Sequence, residues 1–204
     1  MSIILVRHGE TALNVARVLQ PADTPLSAQG VAQAQAVAAR LAGLRIGAIL
    51  SSDLPRALVT AHTIGAALAL PVRTTPLLHE RNFGDWRGRP YDAVGQDILA
   101  LDAGPPGGES VAQFAQRVAD AFALAVRLRA TLDAALIVVS HGLVIRQMLL
   151  AHCHIGAALA LPERLGNTAV SVIDAAAPHA AELLGCTAHL DASVRDNPAS
   201  LSGG

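Results

Sequence analysis

Two short apolar runs in this chain end in the same way. Ile3-Ile4-Leu5-Val6 leads into Arg7-His8-Gly9, and Ala135-Leu136-Ile137-Val138-Val139 leads into Ser140-His141-Gly142. Neither run alternates apolar with polar residues, so each reads as a strand buried on both faces. After the second, Leu143 to Leu150 carries apolar residues at helical spacing. His141 then stands at a strand–helix junction, with the backbone N–H groups of Gly142 and Leu143 and the positive helix end beside it. A cation, an imidazole and a glycine at the end of a buried strand occupy the place where open α/β sheets bind ligands. Arginine suits phosphate, and neutral imidazole is a nucleophile that titrates near neutrality.

The rest of the chain fits that frame. Apolar strands are expected at about 3–7, 46–51 and 135–140, alternating with amphipathic helical stretches. This is βαβ construction, an α/β fold with a mainly parallel sheet. Ser27 is expected to cap a helix from Ala28 to about Leu41, with Gly43 as its stop. Asp53 or Ser52 is expected to cap the next, with Pro55 in its first turn and Pro71 at its far end. Ser110 should cap a long helix bearing Val111, Phe114, Val118, Phe122, Ala125, Leu128 and Leu132 on one face. Val170–Ile173 and Ala180–Cys186 read as late strands. At 204 residues the chain suits one well-buried domain, assigned to residues 1–189, with 190–204 as a loose tail. The turn-rich segment 76–108 is the one long irregular region, and such regions tend to form active-site loops.

Transfer of a phosphoryl group needs positive charge around its oxygens, a nucleophile in line and an acid for the leaving oxygen. Arg7 and Arg56 supply charge with fork geometry. Arg56 falls in a predicted first helical turn, from which its side chain leans back over the sheet edge. Asn14 and Gln20 are candidates for hydrogen bonds to phosphoryl oxygens. Arg81, Arg87 and Arg89 cluster in the irregular segment, where they serve either a second anionic group of the substrate or simply an exposed loop. His62, His152, His154, His179 and His189 are assigned to structure or surface. No Asp/His cluster has metal-ligand spacing, and no metal or cofactor is expected.

In order along the chain come Arg7-His8-Gly9-Glu10-Thr11 with Asn14, Leu26-Ser27-x-x-Gly30-x-x-Gln33-Ala34, and Ser51-x-x-x-x-Arg56-Ala57-x-x-Thr60-Ala61. They are followed by Leu78-x-Glu80-x-x-Phe83-Gly84-x-Trp86, Gly107-Gly108-Glu109-Ser110 and His141-Gly142-x-x-Ile145-Arg146. Together these resemble the histidine phosphatase superfamily, the phosphoglycerate mutase-like group, over about residues 3 to 150. The resemblance implies a three-layer sandwich with helices on both faces of the sheet. It also implies that His8 is the nucleophile, forming a phosphohistidine that water hydrolyses, and that Glu80 is the proton donor. His141, with the amides that follow it, would support the transferred group.

Mutase members of that group carry a long insertion between the Glu segment and the second histidine, and a Glu-Arg-His-Tyr sequence. Here the insertion is absent and the sequence is Glu80-Arg81-Asn82-Phe83. Both departures favour hydrolysis. The compact layout looks like the phosphatase branch, which includes α-ribazole phosphatases and broad-specificity phosphomonoesterases. The expected activity is phosphomonoester hydrolysis on small phosphorylated metabolites. The alternatives are mutase-type transfer and a non-catalytic phospho-ligand binder.

Composition bears on partners and location. A formal net charge of −1 implies neither nucleic acid nor an acidic membrane surface. All 15 cations are arginine, which base composition of the coding sequence explains without appeal to function. Stretches free of Asp, Glu, Arg and Lys hold histidines and polar residues and are too short for a span. Met1-Ser2 leads straight into a strand without a signal-peptide pattern, and Cys153 and Cys186 are far apart, so reduced thiols and a cytoplasmic location are expected. Monomer and homodimer both fit the sequence.

Overall fold

A computed structural model describes residues 2–94, 102–195 and 197. Its centre is a six-stranded sheet built from β1 (Ser2–Arg7), β2 (Ile46–Ser51), β3 (Val72–Thr74), β4 (Ala135–Ser140), β5 (Val170–Asp174) and β6 (Ala181–Cys186), in the order β3-β2-β4-β1-β5-β6. β3, β2, β4 and β1 are mutually parallel. β5 runs antiparallel to β1, and β6 antiparallel to β5. The helices are α1 (Ala12–Val15), α2 (Ala28–Leu41), α3 (Pro55–Leu68), α4 (Val111–Ala130) and α5 (Gly142–His152).

Alternate side chains of each strand feed opposite faces. Ile3 and Leu5 of β1 join Leu136 and Val138 of β4 in a cluster with Phe114, Val118 and Phe122 of α4 and Val144 and Met148 of α5. Ile4, Val6, Ile137 and Val139 face the other way, onto Val37, Ala38 and Leu41 of α2 and Ala57, Ala61 and Ile64 of α3. Three layers result, as expected. Both faces of β1 and β4 are buried, which explains why these strands read as continuous apolar runs.

The expected caps hold at α2 and α4. Ser27 Oγ accepts from Gly30 N at 3.0 Å, and Ser110 forms a reciprocal cap with Gln113. At α3 the expectation fails: the cap position is Leu54, without a side-chain bond, and Pro55 opens the helix. Ser52 Oγ still accepts from Leu54 N at 3.3 Å, one residue ahead of the helix. The short edge strand β3 was not expected. The stretch after Leu190, read as loose, is bonded to α2. Gln29 Nε2 donates to Ser193 O at 3.2 Å, and Gln33 Nε2 to Val194 O at 3.3 Å. The rest of the expected tail, residues 196 and 198–204, lies outside the described residues, as does 95–101 of the irregular segment.

The site follows from this topology. α2, after β1, and α5, after β4, pack on opposite faces of the sheet, so a crevice opens beyond the carboxyl ends of β1 and β4. Arg7 pairs with Ser140 across that strand pair, which sets His8 beside His141.

Candidate active site

Backbone bonds fix the corner after β1. His8 N donates to Ser140 O at 3.0 Å, and His8 O accepts from Thr168 N and Asn167 Nδ2, each at 3.2 Å. Gly9 N donates to Thr60 Oγ1 at 3.1 Å. Glu10 N donates to Gln33 Oε1 at 2.9 Å, and Ser27 Oγ to Glu10 Oε1 at 2.9 Å. The loop therefore lies directly on the first turn of α2, and glycine makes that possible. A Cβ on Gly30 would stand 2.0 Å from Glu10 O, and one on Gly9 2.4 Å from Gly30 O. Gly30→Ala must push the two segments apart, at a cost of about 1–3 kcal/mol. Gly43, just past the same helix, faces open space, so Gly43→Ala should stay within about 0.5 kcal/mol of the parent. Urea unfolding of the two variants checks the pair; equal midpoints would contradict the close approach.

His8 and His141 are buried, with ring centroids 5.1 Å apart. His8 Nδ1 lies 2.6 Å from Gly9 O. A carbonyl can only accept, so Nδ1 carries the proton and Nε2 keeps its lone pair. Burial, with the charges of Arg7 and Arg56, holds the His8 imidazole well below its usual range, so it is neutral. Burial and Arg56 do the same to His141. His141 Nε2 lies 2.9 Å from Ser52 Oγ, while its Nδ1 is buried without a hydrogen-bond partner among the described residues.

Two arginines bracket the histidines. Arg7 Nη1 donates to Leu165 O at 2.6 Å. Arg56 leaves the first turn of α3, and its Nη1 lies 3.3 Å from Pro21 O and 3.4 Å from Ala22 O. Burial lowers the Arg56 guanidinium to about 10; Glu80 opposes the shift and Arg87 adds to it. It remains charged at neutral pH. Its Nε is buried without a partner among the described residues, so an incoming phosphoryl oxygen would satisfy that donor.

Glu80 enters from the loop before α4. Its Oε1 accepts from Arg81 N at 3.0 Å and its Oε2 from Leu143 N at 3.2 Å. Burial pushes the carboxyl up, although both N–H groups, Arg56 and Arg7 pull the other way. The site thus holds a neutral imidazole with a free lone pair, two guanidinium groups and a carboxyl inclined to keep its proton. That set can accept a phosphoryl group, balance its charge and protonate a leaving oxygen. Beside it opens a cavity of about 420 Å³, whose walls include Leu54, His79, Glu80, Asn82 and Arg87.

The structure brings Arg7, His8, Arg56, Glu80 and His141 together as expected, with Gly142 opening α5 next to them. The candidates for direct phosphoryl contact fare differently. Asn14 Oδ1 accepts from Thr11 N at 3.1 Å and lies 3.4 Å from Asn167 Nδ2, so that oxygen holds the loop together. Gln20 Oε1 accepts from Thr11 Oγ1 at 2.9 Å. Leu143 N is committed to Glu80. Arg81 is buried, donates to Glu109 O at 3.3 Å and lies over the Phe83 ring, contacts that brace the loop. The sequence reading also missed Asn167, Thr168, Thr60 and Ser52 as supports of the two histidines. Thr168, at φ 53°, holds a backbone conformation strained for a β-branched residue while donating to His8 O.

This chain is similar to known proteins. The chain is 34% identical over 226 residues to a protein of Yersinia enterocolitica named "probable phosphoglycerate mutase GpmB", covering 96% of this chain and 98% of that one. The structure of YhfR from Bacillus stearothermophilus matches with a TM-score of 0.80 at 26% identity, over 93% of this chain and 99% of the other. A mycobacterial glucosyl-3-phosphoglycerate phosphatase matches with a TM-score of 0.71 at 29% identity, over 84% and 89%. The pattern of the histidine phosphatase superfamily (branch 1) fits residues 3–184, a span that includes both histidine corners, Arg56 and Glu80. This chain belongs to the histidine phosphatase superfamily.

Proposed function

We propose that this protein is a phosphomonoester hydrolase working through His8 on small phosphorylated metabolites. The observation that carries the reading is the His8 ring itself, buried and neutral, with Nδ1 tied to Gly9 O and Nε2 left to attack. Nε2 forms a bond to phosphorus as the bond from phosphorus to the ester oxygen breaks. Glu80 gives its proton to that oxygen, and the alcohol departs. Arg7 and Arg56 balance the charge on the phosphoryl oxygens, with His141 beside them. Water then attacks phosphorus as the bond from phosphorus to Nε2 breaks, and loses a proton to the Glu80 carboxylate. Inorganic phosphate leaves, and both His8 and Glu80 return to their starting states.

Water as the acceptor is favoured by the chain's own features, since the relatives' names include both a mutase and a phosphatase. A mutase must hold its phosphorylated form dry while the acceptor turns over in the pocket. This chain lacks the insertion that would close over such a pocket, and the cavity beside Glu80 is open to solvent. Phe83, which stands where mutases have tyrosine, is buried against Leu19 and offers no hydroxyl to a carboxylate. Incubation with 3-phosphoglycerate and catalytic 2,3-bisphosphoglycerate, following 2-phosphoglycerate and free phosphate together, distinguishes the two. Phosphate release is expected to dominate. Stoichiometric 2-phosphoglycerate with negligible phosphate would replace this reading with mutase-type transfer.

A further inference from the structure

We propose that Arg87 forms a second anion subsite in this pocket, so that the preferred substrates carry a carboxylate or second phosphate on the alcohol that leaves. The inference rests on the hydrolytic reading above and adds the substrate class.

Most polar and charged side chains along the cavity wall are engaged within the protein. Glu109 and Arg117 pair at 2.6 Å, and Arg117 also donates to the carbonyls of Leu77 and His79 at 2.9 and 2.7 Å. His79 Nε2 is bonded to Asp53 Oδ1. Both amide ends of Asn82 are used within the loop: Nδ2 donates to Gly107 O and Oδ1 accepts from Gly84 N. Glu80 is held by two backbone N–H groups. Arg87 differs from all of these. Its half-buried side chain lines the same cavity, and no side-chain hydrogen bond or ion pair engages it among the described residues.

The backbone around Arg87 is nevertheless fixed. Arg87 N donates to Gly84 O at 3.2 Å, Gly88 N to Leu19 O at 2.7 Å and Leu19 N to Arg89 O at 2.9 Å. Leu19 is fully buried beneath this loop with Phe83 and Trp86. A guanidinium on a clamped loop, lining a cavity and without a partner among the described residues, is arranged for a ligand. Its charge also reaches Arg56 and adds to the lowering of that group. Arg56 and Arg7 serve the phosphoryl group. Arg87 shares its wall with Glu80, the donor to the leaving oxygen, so the anion it meets belongs to the leaving alcohol. Of the other two arginines in the segment, Arg81 is buried in the loop, while Arg89 is exposed and not part of this wall.

The test uses compounds matched except for the second anion. 3-Phosphoglycerate against sn-glycerol 3-phosphate reads a carboxylate, and fructose 1,6-bisphosphate against fructose 6-phosphate reads a second phosphate. Calorimetric Kd values on the His8→Ala variant and kcat/KM on the parent are measured for each pair. In at least one pair the doubly anionic compound should be favoured about 10-fold or more at low ionic strength, as expected of a charge-assisted contact. Added salt should narrow the gap. Arg87→Gln should bring the ratio close to one, and Arg87→Lys should retain part of it. Ratios near one in both pairs, or a ratio that survives Arg87→Gln, overturn the subsite and leave the hydrolase standing. A Kd ratio that holds while none of the four compounds releases phosphate overturns the hydrolytic reading instead.

Discussion

His8→Ala should lower kcat/KM for any phosphomonoester by about 10⁴-fold or more, because it removes the atom that bonds to phosphorus. The loss should not depend on the leaving group, since both poor and good leaving groups need the nucleophile. Nor should it come from unfolding. His8 is held through its backbone, by Ser140 O, Thr168 N and Asn167 Nδ2, and alanine keeps every one of those bonds. Among the described residues, the one hydrogen bond to its ring is the local one to Gly9 O. A thermal midpoint near the parent's, together with the collapse in rate, is the expected pair of results. Activity within about 10-fold of the parent would remove His8 from the mechanism.

Glu80→Gln should be nearly as damaging, but selectively. Sugar phosphates, whose alkoxide needs a proton to leave, should slow by about 10²-fold or more. p-Nitrophenyl phosphate, whose leaving oxygen barely needs one, should lose much less. The pH profile should follow suit. Burial raises the Glu80 carboxyl, so the proton-bearing form persists above the usual carboxylate range and the rate falls on the alkaline side as that proton is lost. Glutamine, which cannot ionise, should flatten that limb. On the acid side, His8 must stay neutral. Its depressed pKa means the acid limb set by this ring lies well below 6.5. Equal losses on both substrates, with an unchanged alkaline limb, would make Glu80 a structural residue.

The architecture was legible wherever a local pattern carries the information. β1 and β4 announced themselves because burial on both faces leaves no polar position in the strand, and Ser27 and Ser110 because a cap is a contact within one helical turn. β3 was missed because it spans only Val72–Thr74 at the sheet edge, too short for any period to show. The cap of α3 was misplaced for a related reason. Asp53 and Ser52 are good cap types at plausible positions, but Asp53 bonds to His79 and Ser52 to His141, both far away in sequence.

The site divides in the same way. The residues proposed to do chemistry carry distinctive functional groups: Arg7, His8, Arg56 and His141 stand at strand and helix ends, and Glu80 is marked by the family pattern around it. The residues that hold them could not be picked out. Asn167 reaches His8 across a separation of 159 positions and Ser52 reaches His141 across 89, and nothing local to either marks the bond. Asn14 was expected to meet substrate from the motif, Leu143 as a helix-end amide, and Gln20 and Arg81 from chemical type. Asn14 Oδ1, Gln20 Oε1 and Leu143 N each bond within the protein, to partners that local sequence does not reveal.

The central claim is that phosphorus passes through His8 on its way to water. The most direct measurement is rapid-quench labelling with a phosphomonoester carrying ³²P. Alkali-stable, acid-labile label should appear on the peptide containing His8 before free phosphate accumulates, and it should be absent from His8→Ala. Phosphate release at the full rate with no label on His8 at any quench time would contradict the account.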